Sequence, residues 1–190
     1  MFERIKSNND LAVDKAIRVL KIGGIIIYPT DTLYGFGCDA NNNDAIKKIN
    51  SIKSRKGPMS VLAPNIRMAL RWMKVGKQEK LLVKEKLGGA TTVIAPVKDD
   101  IVSGLIIGQD QTLGIRVPDH HFCNKLASKY LKPVITTSVN RSGEDPATIP
   151  DKIASQFSNE VELLVDDGII NQGGSTIYLL RDKNWKILRS

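Results

Sequence analysis

Short runs of β-branched residues alternate along this chain with segments in which apolar residues recur at helical spacing. The run at 24–30 (GIIIYPT) is apolar at successive positions, which is typical of an interior strand covered on both sides. It lies between two predicted helices, at 9–21 and 42–52. This interleaving predicts an α/β fold in which helices cover both faces of a twisted sheet.

Further elements are predicted downstream. The strands are expected at 60–63, 91–95, 112–117, 134–138, 163–166 and 176–180, and the helices at 65–75, 78–87, 121–130 and 151–157. Short connections between residues 96 and 117 suit antiparallel neighbours, so the sheet is predicted to be mixed and largely parallel. No repeat or proline-rich linker divides the 190 residues, and the C-terminal RDKNWKILRS is interpreted as a closing strand or tail, which predicts a single domain over 1–190.

The balance of charge indicates the class of partner. The chain has 28 Lys and Arg against 20 Asp and Glu, a net charge of +8. This excess favours an anion such as a nucleotide, a phosphate or an RNA backbone, and a solvated lysine-rich surface is the alternative. Only 5% of residues are aromatic, so no platform for stacking single-stranded bases is indicated.

Cysteine spacing and hydropathy exclude other classes. Cys38 and Cys123 lie far apart without metal-ligand spacing, so neither a zinc site nor a disulfide framework is predicted. The N-terminus is polar, and no run reaches the roughly 18 apolar residues of a membrane span. We therefore expect a cytoplasmic protein without a membrane contact or a dedicated metal site.

Polar segments follow several predicted strands, at the sheet edge where α/β proteins bind ligands. The segment 28–40 offers hydroxyls at Thr30 and Thr32 and two glycines that would let backbone amides approach a ligand. The alternative is a glycine-rich turn that packs Tyr34 and Phe36 into the core. Neither a Walker loop nor a GxGxxG fingerprint occurs in the chain.

Lys53, Arg55 and Arg116 lie at positions that suit anion binding. Lys53 and Arg55 alternate after the second helix, so in an extended segment both side chains could grip one polyphosphate while Lys56 points away. A solvated basic loop is the alternative. Arg116 lies inside an apolar strand, where a buried guanidinium needs an anion from the protein or from a ligand.

Two later segments carry small hydroxyl residues. Ser138 and Asn140 follow a predicted strand without a GxSxG elbow, which predicts phosphate or ribose binding and not a nucleophile. A double glycine precedes Ser175, where a tight turn is the slightly favoured interpretation. His120 and His121 are interpreted as a helix cap and a surface residue in preference to a general base.

Taken together, these segments resemble the YrdC family of threonylcarbamoyl-adenylate synthases from about Gly23 to Leu180. The motifs GGIIIYPTDTLYGFGCDA, KSR, GIRVPDH, TSVNRSG and GGST occur in that family's order and approximate spacing. The resemblance implies a YrdC-like fold with a central basic cavity. It also implies a nucleotidyltransferase that condenses ATP, L-threonine and bicarbonate or CO₂ into threonylcarbamoyl-AMP and releases pyrophosphate. Mg²⁺ would accompany the ATP.

The resemblance implies roles for nine residues. ATP would be held by Lys53, Arg55, Thr112, Ser138 and Asn140, the first two also acting catalytically by neutralising the pyrophosphate. L-threonine would be held by Thr30, Arg116, Thr136 and Ser175, with Arg116 pairing with the amino-acid carboxylate. The family commonly has proline where this chain has Lys56, and the chain is expected to be a short form without an extra C-terminal domain.

The implied partners lie in tRNA modification. A separate threonylcarbamoyl transferase complex would pass the product to an adenosine of tRNA, and the sequence leaves open whether this chain contacts tRNA or double-stranded RNA itself. The alternative function is a non-catalytic protein of the same fold that binds double-stranded or ribosomal RNA, which the net charge permits.

Overall fold

A ten-stranded sheet flanked by six α-helices makes up residues 2–190, which are the residues that the structure, a computed structural model, describes. In chain order the elements are β1 (Glu3–Lys6), α1 (Ala12–Lys21), β2 (Ile26–Tyr28), β3 (Gly35–Gly37), α2 (Asn43–Ile52), β4 (Ser60–Leu62), α3 (Ile66–Trp72), α4 (Lys77–Lys86), β5 (Thr91–Pro96), β6 (Thr112–Arg116), α5 (His121–Tyr130), β7 (Val134–Ser138), α6 (Pro150–Phe157), β8 (Leu163–Asp166), β9 (Thr176–Arg181) and β10 (Asn184–Arg189). Short 3₁₀ turns at Gly104–Ile106 and Gln109–Gln111 precede β6.

The strands are ordered β1-β8-β2-β3-β7-β4-β6-β5-β9-β10. Parallel pairs form between β1 and β8, β8 and β2, β4 and β6, and β5 and β9. Antiparallel pairs join β2 to β3, β3 to β7, β7 to β4, β6 to β5 and β9 to β10. The prediction of an α/β fold with a mixed sheet is confirmed, including the antiparallel pairing beside the short 96–112 connection.

Helices cover both faces of the sheet. Ile27 of β2 packs into a cluster with α2, α3, α4 and α6, whereas its neighbours Ile26 and Tyr28 pack with α1 and α5. Successive strand residues point to opposite faces, so β2 has no wet face. This double coverage explains why the run at 24–30 is apolar throughout and confirms the predicted arrangement of helices.

Two strands were not predicted from the sequence, β1 and β3. The interpretation of 28–40 as a ligand-binding glycine loop is wrong in part, because β3 (Gly35–Gly37) is a central strand between β2 and β7. A Cβ at Gly37 would lie 2.6 Å from the Tyr28 ring, so glycine here permits the ring to pack. Tyr34 and Phe36 are fully buried, as the alternative interpretation expected.

The two cysteines lie in the interior. Cys38 and Cys123 are both buried free thiols, and burial raises the pKa of Cys38 to about 12. A helix with the length and hydropathy to cross a bilayer does not occur between residues 2 and 190.

Candidate active site

A cavity of about 1610 Å³ lies against the middle of the sheet, between β3 and β9. Its lining includes all nine residues to which the sequence assigned ligand roles: Thr30, Lys53, Arg55, Thr112, Arg116, Thr136, Ser138, Asn140 and Ser175. Ligand pockets commonly measure about 300–1,000 Å³, so this cavity has room for a nucleotide and a second small molecule. The structure brings the nine residues together, and their roles toward ligands stay predictions.

Lys53 and Arg55 leave α2 through a tight turn. The backbone N–H of Arg55 donates to the carbonyl of Asn50 at 3.1 Å, and that of Ser54 donates to Ser51 at 3.0 Å, which is a Schellman ending. Ser54 occupies the left-handed position (φ 50°) where glycine is usual. The predicted extended path is therefore wrong, yet both cations still line the cavity while the exposed Lys56 does not.

The Lys53 ammonium is buried and hydrogen-bonded to the turn after β7. Its Nζ donates to the carbonyls of Ser138 (2.6 Å) and Asn140 (3.1 Å) and to Asn140 Oδ1 (2.9 Å). An ammonium has three donors, so these contacts use all of them. Ser138 Oγ also donates to Asn140 Oδ1 at 2.6 Å. Lys53 therefore fixes the two residues that were predicted to bind phosphate.

Burial first, and the charge of Arg55 second, lower the pKa of Lys53 to about 8 from its ordinary 10.5. Between these two values the unfolded chain binds a proton that the folded chain has released. The contribution of Lys53 to folding stability therefore increases as the pH rises through this interval. At neutral pH, below this pKa, the ammonium remains charged.

Arg55 presents a contrast to Lys53. Its side chain is exposed, and its single polar contact is a long one from Nη2 to Thr137 Oγ1 at 3.4 Å. It forms no ion pair within the described chain. A guanidinium with unused donors at the wall of a cavity is suited to bind phosphate oxygens in pairs.

Arg116 already has an anionic partner in the protein. Its Nη2 donates to Asp31 Oδ1 at 2.7 Å, and its Nη1 donates to Thr32 Oγ1 at 3.1 Å. Asp31 is fixed in turn by the Asp119 N–H, which donates to Oδ2 at 2.9 Å. Of the two sources of an anion that the sequence left open for Arg116, the protein supplies one, the Asp31 carboxylate; the pairing with the carboxylate of the amino acid stays a prediction. These contacts use two of the five N–H donors of Arg116, and its Nε is buried without a partner in residues 2–190.

Thr30 shapes the turn that carries these partners. Its Oγ1 donates to the carbonyl of Leu33 at 2.7 Å and accepts the N–H groups of Thr32 and Leu33. The hydroxyl is thus occupied by local contacts. In this arrangement Thr30 positions Asp31 and Thr32 against Arg116.

Ser175 links the last two strands to the cavity. Its Oγ lies 2.7 Å from Thr92 Oγ1, and Arg189 Nη2 donates to its carbonyl at 2.7 Å. Arg189 also lines the cavity, and burial together with the charge of Arg116 lowers its pKa. No carboxylate pairs with Arg189 in the described part of the chain. The two guanidiniums therefore form a second cationic region, separate from Arg55.

Sequence reasoning missed Asp31 and Arg189. Asp31 carried no signal beyond its place between two threonines, and Arg189 lies in the C-terminal segment that was interpreted as a closing strand or tail. That segment is β10, and the hairpin with β9 returns Arg189 to Ser175. Neither His120 nor His121 is among the cavity-lining residues. His121 is exposed, as interpreted, whereas His120 occupies the N-cap position of α5 without a side-chain capping hydrogen bond and lies 3.3 Å from Asp167 Oδ2.

The charge of the cavity is mixed. Cations at its wall are accompanied by Glu79, Asp110 and Asp182, and Arg116 is paired with Asp31. The predicted basic character of the cavity therefore stays a prediction. Within residues 2–190 no group of three His, Cys, Asp or Glu side chains is placed to bind a metal.

Comparison with known proteins supplies independent information. The family model of the Sua5, YciO and YrdC proteins, described as telomere recombination, matches residues 18–190. YciO from E. coli has a solved structure with a TM-score of 0.90 and 22% identity, covering 100% of this chain and 96% of that one. The MTH1692 protein from Methanobacterium thermoautotrophicum is 30% identical, with a TM-score of 0.76 and coverage of 100% and 90%.

One similar structure contains an amino acid. Sua5 from P. abyssi, solved in complex with L-threonine, has a TM-score of 0.87 and 24% identity to this chain. The match covers 100% of this chain and 57% of the Sua5 chain. At this identity the likeness shows a common fold.

Proposed function

The chain belongs to the Sua5/YciO/YrdC family, and from this premise we propose that it is an L-threonylcarbamoyladenylate synthase, a nucleotidyltransferase that uses ATP, L-threonine and bicarbonate or CO₂. The convergence of nine residues from separate segments on one cavity is the observation that carries the proposal. The structure of a Sua5 of the same fold in complex with L-threonine supports the choice of L-threonine as one substrate.

The reaction has two bond-forming steps. The threonine amine attacks CO₂ and releases a proton, which forms the C–N bond of a carbamate. A carbamate oxygen then attacks the α-phosphorus of ATP, the bond to the bridging oxygen breaks, and pyrophosphate leaves with the electron pair. When bicarbonate supplies the carbon, one water is also released. The protein must align the reactants, neutralise the pyrophosphate and exclude water from the labile intermediates.

We assign the triphosphate to the part of the cavity near Arg55. The unpaired guanidinium of Arg55 would neutralise the developing pyrophosphate, and Thr112 lies on the nucleotide side. Ser138 donates to Asn140, and Asn140 donates to the carbonyls of Arg141 and Glu144, so these two would bind phosphate oxygens by exchanging those contacts. Lys53 acts by positioning Ser138 and Asn140, because its own donors are occupied. Mg²⁺ would enter bound to the phosphates of ATP, as is usual where no dedicated protein cage exists.

We assign L-threonine to the part of the cavity near Arg116. The remaining Nη donors of Arg116 and the guanidinium of Arg189, which has no carboxylate partner in residues 2–190, would donate to the amino-acid or carbamate oxygens. Ser175 and Thr136 are buried hydroxyl residues on the same wall. The product would be a mixed anhydride, which must pass to a transferase before it hydrolyses; we propose the tRNA-modifying threonylcarbamoyl transferase complex as that partner.

Release of pyrophosphate, with each substrate omitted in turn, tests the proposal. We expect release only when ATP, L-threonine and bicarbonate are all present, with threonylcarbamoyl-AMP as the adenylate product. Release from ATP without threonine would contradict the assigned substrates. Salt-dependent RNA binding with no release under any condition would favour the alternative, a non-catalytic RNA-binding protein.

A further inference from the structure

The middle of β6 separates the two halves of the cavity. Thr112, Gly114 and Arg116 all line the cavity, because every second residue of a strand points to the same face. Thr112 is assigned to ATP and Arg116 to L-threonine, and Gly114 lies about 7 Å along the strand from each of them. Gly114 therefore marks the place where the two substrates must meet.

Ser60 of β4 covers this midpoint. It pairs with Gly114 on one side and with Thr136 of β7 on the other. A Cβ at Gly114 would overlap the Ser60 hydroxyl and would lie 3.1 Å from Ser60 Cβ and 3.3 Å from the methyl group of Thr92. The Ser60 side chain therefore extends over β6, into space that is open only because residue 114 is glycine.

The Ser60 hydroxyl is available to a ligand. Two other hydroxyls that line the cavity already have protein acceptors: Thr112 Oγ1 donates to the Gln109 carbonyl at 2.7 Å, and Ser138 Oγ donates to Asn140 Oδ1 at 2.6 Å. Ser60 Oγ has no hydrogen-bond partner within residues 2–190, and the residue is half-buried at the cavity wall. A serine hydroxyl in this state keeps its one donor for a ligand.

We propose that Ser60 is a catalytic residue of the synthase reaction, whose hydroxyl donates a hydrogen bond to the carbamate. This inference rests on the proposed function, in which the carbamate forms between the threonine amine and the α-phosphorus of ATP. When the Ser60 hydroxyl holds one carbamate oxygen, the other oxygen is directed to the α-phosphorus. Ser60 keeps its proton, because both bond-forming steps proceed as written above and neither involves a bond to its Oγ.

A contact to the carbamate differs from a contact to either starting substrate. The carbamate exists only after the threonine amine has reacted with CO₂ or bicarbonate, so a hydrogen bond to it does not contribute to the binding of ATP or L-threonine alone. Such a bond raises kcat and leaves the affinities for the two substrates unchanged. A contact from Ser60 to the threonine carboxylate or to a phosphate would change those affinities.

The Ser60→Ala variant tests the proposal, because alanine removes only the hydroxyl. We expect kcat for pyrophosphate release to fall about 10- to 100-fold. In degassed, bicarbonate-free buffer, the Kd of L-threonine and the Kd of a non-hydrolysable ATP analogue, both measured by calorimetry, should change less than about two-fold. The Ser60→Thr variant keeps a hydroxyl on a side chain that suits a strand, so its kcat should stay within about five-fold of that of the unmodified protein.

Urea denaturation checks that the variants fold. The hydroxyl has no protein partner to lose, so the urea midpoint of Ser60→Ala should equal that of the unmodified protein. An equal loss of kcat in Ser60→Thr and Ser60→Ala would mean that packing at this position matters and not the hydroxyl, which would overturn the proposal.

The remaining outcomes separate this inference from the proposed function. If the unmodified protein forms threonylcarbamoyl-AMP and Ser60→Ala has an unchanged kcat, the proposed function stands and the role of Ser60 is overturned. A Kd for L-threonine or for the ATP analogue that rises as much as kcat falls would also overturn that role, because Ser60 would then bind a starting substrate. Failure of the unmodified protein to form threonylcarbamoyl-AMP would overturn both.

Discussion

The cavity and a second concave surface, the α3–α4 groove, differ in how their cations are held. In the cavity, Lys53 and Arg116 are buried and hydrogen-bonded, whereas Arg55, Lys183 and Arg189 have no carboxylate partner in the described chain. In the groove all five cations are exposed and unpaired within residues 2–190: Arg67, Arg71, Lys80, Lys84 and Lys98. The cavity is therefore organised before a ligand arrives, whereas the groove offers charge with little fixed geometry.

The residues that carry most of the net positive charge are therefore not the residues to which the reaction is assigned. The excess of +8 suggested an anion site, but residues 66–86, which contain seven Lys or Arg and two Glu, carry +5 of it, away from the motifs that indicate adenylate chemistry. Preorganised donors serve catalysis because they need no rearrangement in the transition state. Exposed cations without partners have no such fixed geometry. The following predictions test whether the reaction depends on the cavity and not on the groove.

The largest effect is expected at Arg55. Replacing Arg55 by alanine removes the unpaired guanidinium proposed to neutralise pyrophosphate, so kcat/KM for ATP should fall by about 10² to 10³-fold. Pyrophosphate release measures this loss. Lys56→Ala, one residue away and outside the cavity, is the matched control and should retain activity near that of the unmodified protein. Equal losses in both variants would mean that only the charge of the loop matters.

Lys53 should affect stability where Arg55 does not. Lys53→Met leaves the buried acceptors of Ser138 and Asn140 without their donor, so the free energy of unfolding should fall by about 2–3 kcal/mol. Urea denaturation measures the change. In the same experiment, Arg55→Ala should lower the free energy of unfolding by less than about 0.5 kcal/mol. A fully stable Lys53→Met protein would contradict the positioning role.

Arg116→Lys should separate the two substrates. Lysine keeps the charge but cannot form the fork to Asp31 and Thr32, so KM for threonine should rise about 10- to 100-fold and that for ATP much less. Steady-state kinetics with one substrate varied at a time provides the test. Equal increases for both substrates would remove Arg116 from the threonine side.

The pH profile should report Lys53. Its pKa is lowered to about 8, so above that pH it loses a proton and one of the three donors that hold the turn after β7. We expect kcat/KM for ATP to fall, by up to about ten-fold per pH unit, above pH 8. In the same range the contribution of Lys53 to folding stability increases, so unfolding does not explain the loss. A flat profile from pH 7 to about 9.5 would contradict this assignment.

The smallest effect is expected in the groove. The variant with Arg67, Arg71, Lys80 and Lys84 replaced by glutamine should release pyrophosphate within about two-fold of the unmodified protein, because none of these residues lines the cavity. A loss comparable to that of Arg55→Ala would show that the two surfaces are coupled.

Hydrophobic patterning predicted most of the fold. The interior strand β2 and helices such as α2 and α5 have strong periodicity, and their observed positions agree with it. Strand β3 was missed because its sequence, Gly-Phe-Gly, has poor strand propensity and is fixed by pairing with β2 and β7. The prediction from local sequence failed where long-range pairing decides the structure.

The sequence predicted which residues line the site, but not the hydrogen bonds and ion pairs that they form. All nine residues line one cavity, yet the acceptors of Lys53 include backbone carbonyls, which have no sequence signature. The partner of Arg116 is Asp31, a distant residue that becomes a neighbour only when the turn after β2 meets β6. Arg189 reaches the cavity through the β9–β10 hairpin, whose geometry the composition of the C-terminal segment did not indicate.

A crystal structure with a non-hydrolysable ATP analogue and L-threonine would test the central assignment most directly. The assignment predicts both ligands inside the cavity, with the triphosphate contacting Arg55 and Ser138 and the amino acid contacting Arg116 and Ser175. A nucleotide bound in the α3–α4 groove with the cavity empty would contradict it.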